Sequence, residues 1–296
     1  MLGILLVVLG SLLVEVGSTT TKISLKRHTL TILDSALLVL GASTIPFVII
    51  ALVAPETFVF HTATLPIFTL RFILEVILVI VGGYALLRAD RSTFALLRTL
   101  TIPLLLIIDL FLSYPISGPQ IAGALIITGT LAVTTFGKLS QKGIMLSILS
   151  AILATVTISL FKIDVQQNSV IAEQLVMHLL MLATLIPLKV ALHESMPVNA
   201  IRFNRQTHIT MLSASLAGIL GSFAYALVPG TALVAAAKRG IGVLFALGSG
   251  KMIFNEQHFG KSAALATAIV SGIALMATPE TFFTEGYHLA TVLLSQ

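Results

Sequence analysis

The chain has 296 residues, of which 57% are hydrophobic and only 10% charged, where a soluble domain carries roughly 25% charged residues. So few polar side chains cannot cover a water-facing surface, which leaves a lipid bilayer as the solvent. Cysteine is absent, which excludes disulfides and thiolate metal sites, and the formal charge of +5 is placed so that it speaks of orientation rather than of anionic partners.

A helix that crosses the hydrocarbon needs about 20 apolar residues. In chain order ten runs qualify, at 2–22, 30–54, 67–88, 92–113, 117–137, 143–163, 171–192, 208–228, 230–254 and 260–277. No basic stretch precedes the first run, so it reads as a retained span rather than a secretory leader. All ten are expected to be helices, because an open sheet leaves its backbone unsatisfied in lipid. The connections are too short to hold a soluble domain, and residues 280–296 form a short polar tail.

Thirteen of the 17 basic residues fall at alternate connections: Lys22, Lys26, Arg27, Arg88, Arg91, Arg98, Lys138, Lys142, Lys189, Arg202, Arg205, Lys251 and Lys261. A basic excess marks the cytoplasmic face. The expectation is therefore a multi-pass protein of the plasma (inner) membrane with both termini extracytoplasmic.

The fifth and tenth runs share a pattern. Gly118, Ala122, Ala124 and Gly129 recur 142 positions later as Gly260, Ala264, Ala266 and Ser271. Small residues are common in membrane helices, yet together with the fainter echo of TTTKISLK in TVTISLFK they suggest two repeats of five spans. An odd number of spans per repeat turns the second half upside down. The expected fold is an all-α integral membrane protein of ten transmembrane helices in two inverted five-helix repeats, 1–140 and 141–279.

A charge at the centre of a span costs roughly 2.5–3.5 kcal/mol, so such groups should face the bundle interior. Glu15 is the sharpest of these, with Gly17 beside it and Ser11, Ser18 and Thr19 on its face. It is the candidate for binding a proton and substrate in turn. The bland alternative is a permanent pair with Lys238 or Arg239 that only cements the bundle. Those two cations are adjacent, about 100° apart on a helix, so one can line a cavity while the other packs. Arg71 and Glu75, four apart, are expected to pair on one helix face. His178 is a further candidate, with packing as its plainer reading. Asp34, Asp109 and Glu173 lie near span ends, where water is the easier partner.

The segment LVEVGSTTTKISLKR (13–27) resembles the first helix of the small multidrug resistance proteins, which carries an essential membrane glutamate. Residues 235–275, with Glu256, Gly260 and Gly272, are similar to the last two helices of the larger, ten-helix, EamA-like drug/metabolite transporters. The resemblance implies two inverted five-helix halves and gives Glu15 the proton- and substrate-binding role, with Glu256 structural. This chain departs from the pattern in lacking tryptophan, in having no counterpart of Glu15 in the second half, and in a charge distribution that puts the termini outside.

The function expected is that of a secondary transporter exporting a small polar or amphipathic metabolite or drug, a proton-coupled antiporter working by alternating access. The helix-bending residues would be Pro46, Pro103 and Pro187. Its partners would be the substrate, H+ and the bilayer, with no nucleic acid and no cofactor or metal; a monomer is expected, because two fused halves need no dimer. The alternative is a non-transporting scaffold or lipid-binding protein, with no central cavity and its intramembrane charges paired. An intramembrane enzyme is disfavoured, since no HExxH or phosphate loop occurs.

Overall fold

The computed structural model of the protein describes residues 2–114, 116–135, 142–194, 204–227, 231–256 and 259–278. Its elements are helical throughout: α1 (Leu2–Lys26), α2 (Ile32–Val53), α3 (Leu65–Arg88), α4 (Arg91–Arg98), α5 (Thr101–Phe111), α6 (Gly118–Thr135), α7 (Lys142–Asp164), α8 (Val170–Ala191), α9 (Arg205–Leu227), α10 (Thr231–Met252) and α11 (Phe259–Ala277), with two short 3-10 turns between α2 and α3. No strand occurs among the described residues. With α4 and α5 taken as one, nine of these are long and apolar enough to cross a membrane, and α6 is a shorter apolar helix. These are the helices of a multi-pass membrane protein.

The distribution of polarity is the reverse of a water-soluble fold. Leu52, Val53, Phe111 and Met252 are largely exposed, while Lys22, Arg91, Glu173 and Lys189 are among the most completely buried side chains. Apolar side chains cost nothing against lipid, whereas charges must be gathered inside where partners exist.

The fourth span is broken. α4 ends at Arg98 and α5 begins at Thr101. Pro103 explains the break: its ring collides with the carbonyl four residues back, that of Thr99, and favours a helix that starts just before it. α2 and α8, by contrast, run continuously through Pro46 and Pro187.

Helix ends are closed by side chains. Thr31 and Asp34 form a capping box on α2, with Asp34 N donating to Thr31 Oγ1 at 3.1 Å and Thr31 N to Asp34 Oδ2 at 2.8 Å. Ser169 caps α8 by accepting from Ala172 N at 3.1 Å. Two further caps reach between spans. Asp109, in α5, accepts from Thr231 N at 3.2 Å, Thr231 Oγ1 at 2.7 Å and Ala232 N at 2.9 Å, closing the start of α10. Glu256, just after α10, accepts from Arg91 N, from Ser92 N at 3.1 Å and from Ser92 Oγ at 2.6 Å, closing the start of α4. Each carboxylate also meets the positive end of the helix dipole.

Pairing joins the two ends of the chain. α1 lies along α9, α3 along α7, α6 along α11, α2 along α8, and α10 against both α4 and α5. The α6–α11 crossing is a backbone contact. A Cβ on Gly272 would stand 2.8 Å from the Gly123 carbonyl oxygen, and one on Gly123 would overlap the Gly272 carbonyl oxygen. Gly118, Gly129 and Gly260, which carry the sequence pattern, face open space instead; Ala124 and Ala266 are buried in the contact.

Candidate functional site

A cavity of about 510 Å³ lies among α1, α2, α3, α4, α7, α8, α9 and α10. From α1 it takes Val14, Gly17, Ser18, Thr21 and Leu25. These positions follow one helical stripe, because spacings of three and four return to the same face. The wall runs from Leu25, Ile32 and Leu86, beside the first and third connections, to Ser43, Arg71 and Lys238 deep in the bundle. Serine, threonine and glycine predominate on α1 and α9, which lets these helices pack closely and still offer hydroxyls to water or a ligand. Its charged lining is Arg71, Glu75, Arg98 and Lys238.

Arg71 and Glu75 take the expected positions on one face of α3, but their nearest approach is 3.8 Å. The closer partner of Arg71 is Glu173 of α8, which is fully buried and also accepts from Gln174 Nε2 at 2.8 Å. The Arg71 guanidinium lies over the Phe161 ring, 4.7 Å from its centroid. The expectation that Glu173 would find water is corrected: an interior cation reaches it first. The same correction applies to Asp34, which is buried and pairs with Lys189 Nζ at 2.7 Å, and to Asp109, which is spent on the start of α10.

Glu15 is buried in the bundle but is not part of the cavity wall. Its carboxylate pairs with the Arg91 guanidinium of α4 and lies against α10, where a Cβ on Gly242 would come 2.8 Å from Glu15 Oε1. Gly242 thus leaves the room that the carboxylate fills. The expected partner of a cemented Glu15, Lys238 or Arg239, is replaced by Arg91, a residue only 1% exposed. Of the hydroxyls placed on its face, Ser11 donates to its own helix at Val7 O, Ser18 joins the cavity wall, and Thr19 Oγ1 is buried without a hydrogen bond.

Lys238 lines the cavity with Nζ 5.8 Å from the Tyr225 ring centroid. Arg239 sits behind the wall, its Nε donating to Thr101 Oγ1 at 3.4 Å. One cation lines and one packs, as the 100° separation requires. Arg98 completes the cluster, 5.5 Å from the Phe94 ring centroid and with Nε buried without a hydrogen bond. Arg98, Lys238 and Arg239 act electrostatically on one another. Among the described residues none of the three has a carboxylate at ion-pair distance. His178 lies away from the cavity, its ring 5.6 Å from that of Phe47 in an edge contact, with Nδ1 unbonded.

Arg91, Arg98 and Gln174 are the interior polar residues that sequence reasoning missed, and Glu173 was assigned to water. Arg98 had a signal: it falls inside the run 92–113 and still counted as a connection residue. Arg91 had a weaker one, seven positions before Arg98 and so on the same face of any helix that holds both. Among the described residues no cluster of three His, Asp or Glu could hold a metal.

No model of a known protein family matches the chain, and no curated protein matches it.

Proposed function

We propose that the chain is a secondary transporter that moves a small molecule by alternating access through the chamber between two inverted halves, 1–140 and 141–279. The chamber itself carries the reading. A hollow that brings four charged side chains together inside a membrane bundle is expensive unless something passes or binds there. A scaffold would fill it.

Three further observations support inverted halves. Exchanging first-half spans for their second-half counterparts turns the α1–α9 pair into the α3–α7 pair and maps α2–α8 and α6–α11 onto themselves. Asp109 and Glu256 serve the fourth and ninth spans reciprocally. The left-handed residues that end those spans, Ser113 and Asn255, with φ of 60° and 51°, are 255 − 113 = 142 positions apart, the interval of the small-residue pattern. This plan agrees with the drug/metabolite transporter resemblance. We take the basic excess to turn the chamber's Leu25–Ile32–Leu86 end toward the cytoplasm, in a protein of the plasma membrane.

Proton coupling belongs to a carboxylate that meets chamber water. Glu75 lines the chamber, whereas Glu15 is held by Arg91 one layer back. We therefore assign coupling to Glu75, and to Glu15 the task of fixing α4 against α1 and α10. The scaffold reading retains one observation, the paired Glu15, and lacks an account of the hollow.

The test is proton flux in liposomes loaded with a pH-sensitive dye and challenged with pooled metabolites. Wild-type protein should give substrate-dependent flux, Glu75→Gln should lose it, and Glu15→Gln should keep its pH dependence. Full flux through Glu75→Gln would remove Glu75 from the coupling role, and no flux with any pool would favour the scaffold.

A further inference from the structure

The charges on the chamber do not balance. Arg71 is answered by Glu173 and Glu75, and Arg91 by Glu15. Arg98 and Lys238 line the hollow and Arg239 stands directly behind it, with no carboxylate at ion-pair distance among the described residues. Their contacts are aromatic rings and one long hydrogen bond to a hydroxyl. Rings favour a nearby cation only modestly, by about 0.5–2 kcal/mol. Three like charges gathered in a low-dielectric interior repel one another and carry a desolvation cost that such contacts do not meet. Glu15 acts on all three from beyond ion-pair distance but is already held by Arg91, so positive charge is in excess, and the space beside it is open.

We propose that Arg98 and Lys238 form an oxyanion-binding site, so that the chamber's ligand is a small organic anion bearing a carboxylate or a phosphate. The inference rests on the chamber being a ligand site and goes beyond that reading by fixing the ligand's charge. Arg98 offers a planar fork of donors that matches two oxygens of one oxyanion, and Lys238 adds a compact charge from the facing helix. Arg239 contributes field without contact. The two lining cations come from the fourth and ninth spans, one from each half. Rocking of the halves would therefore bring them together on the anion or draw them apart.

Glu75 shares the same chamber and bears the opposite charge. Its protonation removes a competitor for the cations and weakens repulsion of the incoming anion. An anion would then be favoured with a proton, which links the site to the proposed coupling without a further group.

The chain contains no cysteine, so a single introduced thiol is unique. Gly221 lines the chamber, and a Cβ there would have Lys238 Nζ at 3.9 Å as its sole neighbour within 4 Å. Gly82, on α3, also lines the chamber, with open space around its Cβ position. Gly221→Cys and Gly82→Cys proteins would be labelled with three methanethiosulfonate reagents: the anionic sulfonatoethyl, the cationic trimethylammonioethyl and the neutral methyl compound. All three react with the thiolate, so the ratio of anionic to cationic rate cancels the thiolate fraction and reports the local field. In the Gly221→Cys protein this ratio should exceed that of a free thiol in solution by about 10-fold or more, the scale of electrostatic focusing in a charged cleft. It should fall toward the free-thiol value in Lys238→Gln and Arg98→Gln backgrounds and stay unchanged with Lys251→Gln. Succinate or inorganic phosphate at millimolar concentration should slow labelling, and whichever protects identifies the oxyanion.

A ratio at or below that of the free thiol, a ratio insensitive to both glutamine substitutions, or no protection by either anion overturns the site. Failure of the neutral reagent at both positions means no accessible chamber and overturns the transporter reading along with the site. A high, substitution-sensitive ratio with anion protection but no flux in liposomes would sustain the site while removing transport.

Discussion

Removing the Glu15 carboxylate should cost more than removing its partner, and the asymmetry follows from the neighbours. Arg91 is 1% exposed and the Glu15 side chain 10%. Breaking a buried pair by deleting one member costs about 3–5 kcal/mol in soluble proteins. In a membrane the reference state keeps its helices and finds other partners, and interhelical hydrogen bonds average only about 0.6 kcal/mol. An intermediate coupling of about 2 kcal/mol is therefore expected for Glu15 and Arg91. Arg91→Gln leaves Glu15 within the fields of Arg239, Arg98 and Lys238, which still favour its charge. Glu15→Gln leaves four cations with no acid among them. The assay is a double-mutant cycle in mixed micelles, with SDS titration followed by circular dichroism and near-ultraviolet absorbance. Glu15→Gln should be the more destabilising single change, and adding Arg91→Gln to it should restore part of the loss. A coupling below about 0.5 kcal/mol, or the reverse order of the two single variants, would refute the reasoning.

Asp109→Ala removes three accepted hydrogen bonds at the start of α10 and should cost about 2 kcal/mol in the same titration, the upper end for a helix cap. Asp109→Asn should recover part of that. Glu256→Ala should act similarly through α4, and a neutral result at either site would deny the caps their role. Gly123→Ala puts a methyl group onto the Gly272 carbonyl and should destabilise the α6–α11 crossing by about 1–3 kcal/mol; unchanged stability would mean that the crossing opens freely. Glu194 lies outside the spans, and hydrogen bonds from Lys189 Nζ and Thr31 Oγ1, both at 2.8 Å, hold its carboxyl below the ordinary value of 4.5. Its folded value is depressed, so its contribution is fully present above 4.5 and is lost as pH falls through the folded value. At about a third exposure this is worth at most about 1 kcal/mol. Glu194→Gln should remove that part of the acid dependence of stability and leave stability little changed only at pH below the folded value.

The helices were legible because lipid imposes a length rule that few other sequences meet. The runs at 30–54 and 171–192 correspond to α2 and α8 within two residues at each end. The break of the fourth span was half legible. Pro103 marked a bend, but a run of apolar residues on both sides hid the gap at Thr99 and Leu100. Of the ion pairs, the local one between Arg71 and Glu75 was legible and those between distant helices were not. Glu15 meets Arg91 76 residues away, and such a pairing depends on which helices touch. Local spacing favoured Arg71 with Glu75, and geometry gave Arg71 to Glu173. Charge counting placed Lys22, Arg91 and Lys189 at a membrane face, where the fold draws all three fully inside.

The caps at Arg91 and Thr231 set an order on biogenesis. A ribosome begins α4 165 residues before it reaches Glu256, and α10 begins 122 residues after Asp109. The early carboxylate waits ready for its helix, while the early helix waits uncapped for its carboxylate. A nascent chain stopped before residue 256 would carry an α4 whose first amides lack their acceptor. The first half therefore cannot mature ahead of the second, and chaperones of membrane insertion would meet α4 as the segment that settles late.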